Sequence, residues 1–191
     1  MVKGNLAFQE AWPEELIDGK ITAMSPVAPN HSLTAGNIYT IFKNHLKKRK
    51  CTPIFDGVMV YLTEDDRFIP DVMVVCDRDK IKADGVYGAP DLVVEVLSFS
   101  TMKNDRTRKK DVYGQCGVRE YWLVSPSEKS VEVYRNNGTE LVIHNVYTLY
   151  PDWALRQMSE AQRAAVTTHF QCSLFDGLNI SLDDIFEDLL Q

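Results

Sequence analysis

The sequence predicts a mixed α/β fold in a single domain covering residues 1–191, with a central mixed sheet flanked by helices and accompanied by additional hairpins. Of the 191 residues, 45% are hydrophobic and 25% are charged, a balance typical of a globular domain with a sizeable core. Short apolar runs alternate with two segments of helical periodicity, and no internal repeat or linker divides the chain. The predicted order of core elements is α-β-β-β-α-β.

The chain begins with a predicted hairpin and a predicted helix. The hairpin falls at residues 15–24, because the dipeptide Asp18-Gly19 suits a tight type I′ turn. In the helix, apolar residues recur at three- and four-residue spacing over residues 31–46, and Asn30 is expected to cap it. Basic residues end this helix, where the helix dipole favours cations.

Six further runs are rich in apolar and β-branched residues and are predicted to be strands. They lie at 57–62, 67–76, 91–98, 119–126, 130–135 and 140–147. A second helix is predicted between the third and fourth runs, beginning near a serine or threonine and ending at Gly117. Residues 151–170 suit an amphipathic helix, and residues 171–191 suit a short strand followed by an acidic helical end.

Composition and cysteine spacing exclude several classes of protein. The longest apolar runs, such as residues 58–62, fall far short of the roughly 20 residues of a membrane-spanning helix. The N-terminal segment lacks the pattern of a secretory signal, so we expect a cytoplasmic protein that starts near Met1. No CxxC pair occurs, and neither a disulfide scaffold nor a zinc site is indicated. The four cysteines are Cys51, Cys76, Cys116 and Cys172.

The net charge of −6 argues against a nucleic-acid partner. The distribution of the charge argues the other way. Residues 43–50 carry five positive charges, and residues 103–110 carry five positive charges and one negative charge. These two stretches are either solvated helix faces or surfaces that contact phosphate groups.

Two carboxylates fall inside otherwise apolar strand runs. Asp71 lies in FIPDVMVV and Glu95 lies in DLVVEVLS. Burying a lone carboxylate is costly, so each is exposed at a strand end, paired with an arginine or bound to a cation. On successive strands the two could converge on one divalent ion, and oxygen ligands suit Mg²⁺ or Mn²⁺. Asp91 lies roughly 13 Å from Glu95 along the strand, too far to share that ion, and is expected to order the start of the strand.

The second predicted helix carries a candidate catalytic cation. Asp105, Lys109 and Tyr113 share one face, because they are spaced four residues apart. If this helix packs on the sheet that carries the carboxylates, it brings the Lys109 ammonium toward them. The alternative is a lysine held only by its i,i+4 partner Asp105. His31, on the apolar face of the first helix, is either a core histidine or part of the same site.

The chain resembles the bacterial Uma-two-like restriction endonuclease family, a branch of the PD-(D/E)XK nuclease superfamily. The resemblance rests on PDVMVV at 70–75, on PDLVVEVLSFST at 90–101 and on the stretch from Asp105 to the end of GVREYWLVSP at 105–126. It extends from ELIDGKI at 15–21 to SLFDGLNISLDDIF at 173–186. It therefore covers nearly the whole chain.

This resemblance implies a restriction-endonuclease-like core and a metal-dependent endonuclease that hydrolyses DNA phosphodiester bonds. Asp71 and Glu95 would hold Mg²⁺ or Mn²⁺, with a backbone carbonyl near Val96 completing the ligand set. Lys109 would orient the nucleophile or stabilise the developing charge, and His31 would be an auxiliary group. Double-strand cleavage by a one-site nuclease further implies a homodimer.

One position departs from the superfamily pattern. The superfamily lysine stands two residues after the second acid, where this chain has Leu97. In the family, the lysine comes instead from the following helix, four residues before a tyrosine, which matches Lys109 and Tyr113. Leu97 and the acidic net charge also fit a catalytically inactive nuclease-fold protein that binds nucleic acid or another partner. A hydrolase of a smaller phosphate ester is a third class.

Overall fold

The computed structural model describes residues 13–55 and 57–190 and has the mixed α/β fold that the sequence predicts. The expectation for Met1 lies outside these residues. In chain order the strands are β1 (Glu14–Ile17), β2 (Lys20–Ala23), β3 (Thr52–Phe55), β4 (Val60–Tyr61), β5 (Arg67–Phe68), β6 (Val72–Val75), β7 (Val86–Tyr87), β8 (Leu92–Val96), β9 (Glu120–Ser125), β10 (Ser130–Asn136), β11 (Leu141–Thr148), β12 (His169–Gln171) and β13 (Asn179–Ser181).

The helices follow the predicted order around these strands. They are α1 (Pro29–His45), α2 (Met102–Asn104), α3 (Lys110–Cys116), α4 (Asp152–Gln157), α5 (Glu160–Ala165) and α6 (Leu182–Ile185). A π-helical turn, Asp105–Lys109, joins α2 directly to α3. The helix over 102–116 is therefore continuous and ends at Gly117, whose positive φ of 97° favours glycine.

The described strands form a six-stranded central sheet in the order β11-β10-β9-β8-β6-β3. The strands β8 and β9 are parallel, whereas the other neighbours are antiparallel, so the sheet is mixed. A second sheet has the order β2-β1-β5-β4-β7, and β12 pairs with β13. The predicted α-β-β-β-α-β order is formed by α1, β3, β6, β8, the helix over 102–116 and β9.

Two hydrophobic clusters cover the two faces of the central sheet. On one face, Ile38 and Phe42 of α1 pack in the same cluster as Val72 and Val94. On the other face, side chains of alternate strand positions join Tyr113 of α3 and apolar residues of the second sheet. Because β6 and β8 are covered on both faces, their sequences are apolar throughout apart from Glu95.

The N-terminal hairpin and the first helix are confirmed, with one change at the cap. Asp18 and Gly19 both have positive φ, as a type I′ turn requires. However, Ala28 occupies the N-cap of α1 and Pro29 its first turn, where the fixed φ of proline suits a helix. The Asn30 amide instead donates a 2.9 Å hydrogen bond to the carbonyl of Leu190.

One strand prediction and one helix prediction differ from the structure, and strand β3 was not predicted. The run at 57–62 supplies β4 to the second sheet, and β3 takes its expected place in the central sheet. Strand β3 gave a weak signal because it is short and contains Pro53, which an edge strand tolerates. The helix predicted at 151–170 is split, because Ser159 forms a capping box with Gln162 and begins α5.

The prediction of no disulfide is wrong, because Cys51 and Cys76 form one. They flank β3 and β6, in which Thr52 pairs with Val75, so the two cysteines face each other across the strands. Sequence spacing carries no information about this cross-strand pairing. Disulfides are rare in the reducing cytoplasm, so this pairing does not support the expected cytoplasmic location. Across 13–55 and 57–190, no helix is long and apolar enough to cross a membrane.

Candidate active site at the ends of two central strands

Asp71 and Glu95 lie on neighbouring strands of the central sheet. Val72 pairs with Val94 in the antiparallel register of β6 and β8, and one step further along this register Asp71 stands opposite Glu95. Since side chains alternate between the faces of a sheet, both carboxylates share the face that packs against α3. Register and alternation therefore bring the two carboxylates to the same end of the same face.

Asp71 is oriented through one oxygen atom. Its Oδ2 accepts a 2.7 Å hydrogen bond from the backbone N–H of Val96 and lies 3.3 Å from Nε2 of His31. Within the described part of the chain, Oδ1 of Asp71 has no hydrogen-bond donor. Asp71 is thus fixed in position through Oδ2, and the residue lines the adjacent cavity.

His31 reaches Asp71 from the first turn of α1 and is 9% exposed. Burial of the imidazole opposes its protonation, but the hydrogen bond to Asp71 and its charge raise the pKa of His31. A backbone hydrogen bond to Val96 acts in the same direction. The ring is therefore held against the carboxylate and favours its protonated form.

Glu95 is buried, with 3% of its surface exposed. Its Oε1 accepts hydrogen bonds from Nζ of Lys109 at 3.2 Å and from the hydroxyl of Tyr113 at 3.0 Å. Among the described residues Oε2 receives none. Burial, opposed by Lys109 and assisted by the neighbouring carboxylates, raises the pKa of Glu95 well above its usual range.

Lys109 is buried among three carboxylates. Its Nζ lies 2.8 Å from Oε1 of Glu15, 3.2 Å from Oε1 of Glu95 and 3.5 Å from Oδ1 of Asp105. Burial disfavours the ammonium, but the three carboxylates outweigh it and raise the pKa of Lys109. Lys109 closes the π-helical turn, a feature frequent at functional sites. The ammonium is a fixed positive charge at this site.

Sequence reasoning missed Glu15 as part of the site. The Glu15 side chain comes from β1 of the second sheet, where it also accepts a 2.8 Å hydrogen bond from the backbone N–H of Ile69. The signal that could have found it is the alternation in β1, which puts Glu15 on the same buried face as Ile17. Asp105, named as the partner of Lys109 only in the alternative interpretation, contributes a third buried carboxylate.

A cavity of about 170 Å³ connects these side chains. Its lining includes the carboxylates of Glu15, Asp71, Glu95 and Asp105 together with Lys109 and His31. The carboxylates lining the cavity outnumber the cationic groups by four to two. In addition, Oδ1 of Asp105 is buried without a hydrogen bond within the described residues. This excess of hard oxygen atoms fits a divalent cation. However, no group of three or more such side chains in 13–55 and 57–190 is already arranged to hold a metal.

Most cations of the second basic stretch are paired inside the protein. Arg106 Nη2 lies 2.7 Å from Oε1 of Glu132, and Arg108 Nη2 lies 2.8 Å from Oδ2 of Asp66. The buried Lys109 ammonium is a third paired cation. The stretch at 103–110 therefore fixes the site helix against the two sheets, and it is not the free phosphate-contacting face that its charge suggested.

Residues 43–50 differ from that stretch because their lysines and arginine are exposed. They lie at and beyond the end of α1. His31 is near the start of the same helix, and fourteen residues at about 1.5 Å each place the two roughly 21 Å apart. Asp91 orders the start of β8 as expected, because its Oδ2 accepts a 2.8 Å hydrogen bond from the N–H of Cys76.

The sheet order and the helices that flank it define a restriction-endonuclease-like fold. A solved structure with this fold is a putative nuclease belonging to DUF820 from Anabaena variabilis, which superimposes with a TM-score of 0.68 at 22% identity, covering 91% of this chain and 89% of that one. The chain belongs to the Uma2 family, whose model, described as "Putative restriction endonuclease", matches residues 6–167.

A curated relative comes from Synechocystis sp. strain PCC 6803. Uncharacterized protein slr1290 is 34% identical to this chain over 125 residues. The match covers 64% of this chain and 66% of the relative, slightly under two thirds of its length.

Proposed function

We propose that the chain is a metal-dependent endonuclease that hydrolyses phosphodiester bonds in DNA. One observation carries the proposal. Asp71 and Glu95 stand opposite each other, each is held through one oxygen, and a buried ammonium contacts Glu95 beside a cavity. Family membership supports the same reaction class.

Asp71 and Glu95 would hold Mg²⁺ or Mn²⁺ through the oxygens that protein donors leave free, with the backbone carbonyl of Val96 as a further ligand. A bound divalent ion supplies Lewis acidity and lowers the pKa of a water molecule. The hydrogen bonds to Oδ2 of Asp71 and Oε1 of Glu95 fix both carboxylates before a ligand arrives. Such preorganisation reduces the cost of binding.

Lys109 and His31 would act on the phosphate and on the attacking water. The buried Lys109 ammonium is a permanent positive charge, so it stabilises negative charge that develops on a nonbridging oxygen or orients the nucleophile. His31 holds Asp71 in place and, when its Nε2 carries a proton, adds a second positive charge. Burial of both groups strengthens both effects, because charges interact more strongly in a low local dielectric.

The exposed stretch at 43–50 would bind the DNA backbone outside the cavity. Its contacts with phosphate groups would be salt-dependent and largely independent of sequence. We further propose a homodimer, because cutting both strands with one site per chain calls for two sites. The ratio of nicked to linear plasmid product tests whether two sites act together.

The second candidate is a nuclease-fold protein that binds its partner without turnover. One observation favours it, namely that three carboxylates surround Lys109 and leave its side chain 3% exposed. An ammonium that stays engaged in these ion pairs would have little contact with a phosphate.

The decisive experiment combines cleavage with metal binding. We expect plasmid or single-stranded DNA to be cut with Mg²⁺ or Mn²⁺ and not after chelation, while RNA and a small phosphodiester are cut more slowly. Calorimetry should detect metal binding that Asp71→Asn and Glu95→Gln each abolish, because each removes a charged ligand. Asp91→Asn, immediately before the strand that carries Glu95, is the matched control and should bind metal normally. Unchanged metal binding in both site variants would overturn the proposed site.

A further inference from the structure

A second groove opens beside the catalytic cavity. It has a volume of about 420 Å³, and its lining is mainly apolar, with Leu97, Phe99, Met102 and Pro126 among the contributors. Three residues, Ala28, His31 and Ser98, line both the groove and the catalytic cavity. The groove is therefore adjacent to the catalytic cavity, and it is within the size range of sites for small organic groups.

Phe99 stands at the edge of this groove with its side chain fully exposed, at 100% of its possible surface. It lies in the short connection between β8, which carries Glu95, and α2, which begins the helix that carries Lys109. A lone exposed apolar residue is ordinary on a protein surface. An exposed phenyl ring between the two elements that carry the site, beside an apolar groove, is a more specific arrangement.

Hydroxyl hydrogen bonds hold the connection that carries Phe99. The Ser98 hydroxyl lies 3.0 Å from that of Ser100 and 3.0 Å from that of Thr101, and the N–H of Met102 donates a 3.0 Å hydrogen bond to the Ser98 carbonyl. The polar side chains around Phe99 thus bond to each other. The phenyl ring projects from an ordered turn.

We propose that the groove binds one unpaired base of the DNA strand whose phosphate occupies the catalytic cavity, with Phe99 stacking on that base. The inference rests on the proposed function and adds a substrate class to it, namely DNA with an unstacked base next to the scissile phosphate. In a paired duplex only the edges of a base are accessible, whereas an aromatic side chain needs its face.

The adjacency of the two spaces points to the occupant of the groove. A phosphate near Asp71 and Glu95 is covalently linked to a neighbouring sugar and base, and the groove that shares His31 with the cavity is the adjacent open space. The catalytic cavity, at about 170 Å³, has less than half the volume of the groove. Ser127 on the groove wall contacts the Ser125 hydroxyl at 3.2 Å, and its own hydroxyl retains capacity for a hydrogen bond to the edge of a base.

The test measures stacking separately from cleavage. A single-stranded DNA carrying 2-aminopurine at successive positions is titrated with protein in Ca²⁺, a weaker Lewis acid that suits the same carboxylates. We expect quenching at one position, binding about tenfold weaker for Phe99→Ala and near-normal binding for Phe99→Trp, because an aromatic stack is lost in the first variant and kept in the second. Trp153→Ala removes an exposed aromatic side chain of α4 outside the groove and should bind normally.

The outcomes separate this inference from the proposed function. Three outcomes would each overturn the base-binding groove. The first is equal DNA affinity of the Phe99→Ala and Trp153→Ala variants, and the second is quenching at every labelled position. The third is binding of the matching duplex as tight as that of the single strand. Absence of cleavage of the same strand in Mg²⁺ and Mn²⁺, with the Phe99-dependent quenching intact, overturns the nuclease proposal and supports the groove.

Discussion

At the scale of single residues, Lys109 has two proposed roles, and no single substitution can separate them. Its ammonium is the catalytic cation of the proposal, and it also forms ion pairs with three carboxylates in a buried cluster. Removing one partner of a buried ion pair leaves uncompensated charge. A simple truncation therefore disturbs folding as well as chemistry, and a second substitution is needed to separate the two effects.

We expect Lys109→Met to lower the free energy of unfolding by about 3 kcal/mol, since it leaves Glu15, Glu95 and Asp105 without their cation. Adding Glu15→Gln removes one of the excess charges and should restore part of this stability. Cleavage should fall by about 10² or more in both proteins, because neither has the ammonium. Urea unfolding and single-turnover cleavage measure the two quantities.

The control for this pair is Lys110→Met. Lys110 is the next residue, but its Nζ lies over the ring of Tyr134, away from the carboxylates. Its loss should leave the chemical step unchanged. If the double variant at Lys109 and Glu15 regains cleavage along with stability, Lys109 is a structural cation only.

At the scale of elements, the site depends on how the helix over 102–116 is attached. Its π-helical turn carries both Asp105 and Lys109. Two arginines of this turn form ion pairs on either side of the helix, Arg106 with a glutamate of β10 and Arg108 with an aspartate beside the N-terminal hairpin. These ion pairs fix the orientation of the helix about its own axis. The basic residues of this helix therefore position the site, whereas those that follow α1 are free to meet a ligand.

We expect the double substitution Lys47→Gln and Arg49→Gln to weaken DNA binding mainly at low salt. Each lost phosphate contact should reduce the slope of log K against log salt by about 0.9. The chemical step at saturating DNA should not change, because this stretch lies roughly 21 Å from His31 along α1. Lys20→Gln with Lys82→Gln removes the same charge from exposed lysines elsewhere and should leave the slope unaltered. Equal slopes for the two double variants would place the DNA on another surface.

At the scale of the whole molecule, β6 connects the site with the disulfide. Asp71 precedes this strand and Cys76 follows it, so five residues at about 3.3 Å each separate them by roughly 17 Å. The disulfide links β6 to the edge strand β3. We expect stability and catalysis to respond separately to its loss.

Reduction should lower the free energy of unfolding by about 3.5 kcal/mol, as the chain-entropy model gives for cysteines 25 residues apart. Thermal unfolding with and without reductant measures this change, and the cleavage rate of the folded enzyme should not change. The Cys51→Ser variant should unfold at the midpoint temperature of the reduced wild-type protein, both with and without reductant. A midpoint in the wild type that is insensitive to reductant would contradict a stabilising disulfide.

Local sequence determined much of the architecture. Asp18-Gly19 determined the first hairpin, the helical spacing from His31 determined the buried face of α1, and the apolar runs around Asp71 and Glu95 predicted the two central strands. These features depend on a few neighbouring residues and on periodicity, so the chain itself carries them. The family resemblance rests on the same segments.

Only the tertiary structure decided which charges meet. Glu15 and Lys109 are far apart in sequence, and their contact depends on how the second sheet packs on the helix over 102–116. The pairing of Cys51 with Cys76 and of Arg106 with Glu132 likewise depends on strand register and helix rotation. Local periodicity predicts which face of a helix or strand a residue occupies. Which charged groups form ion pairs depends instead on packing between segments that are distant in sequence, and this packing is a property of the whole fold.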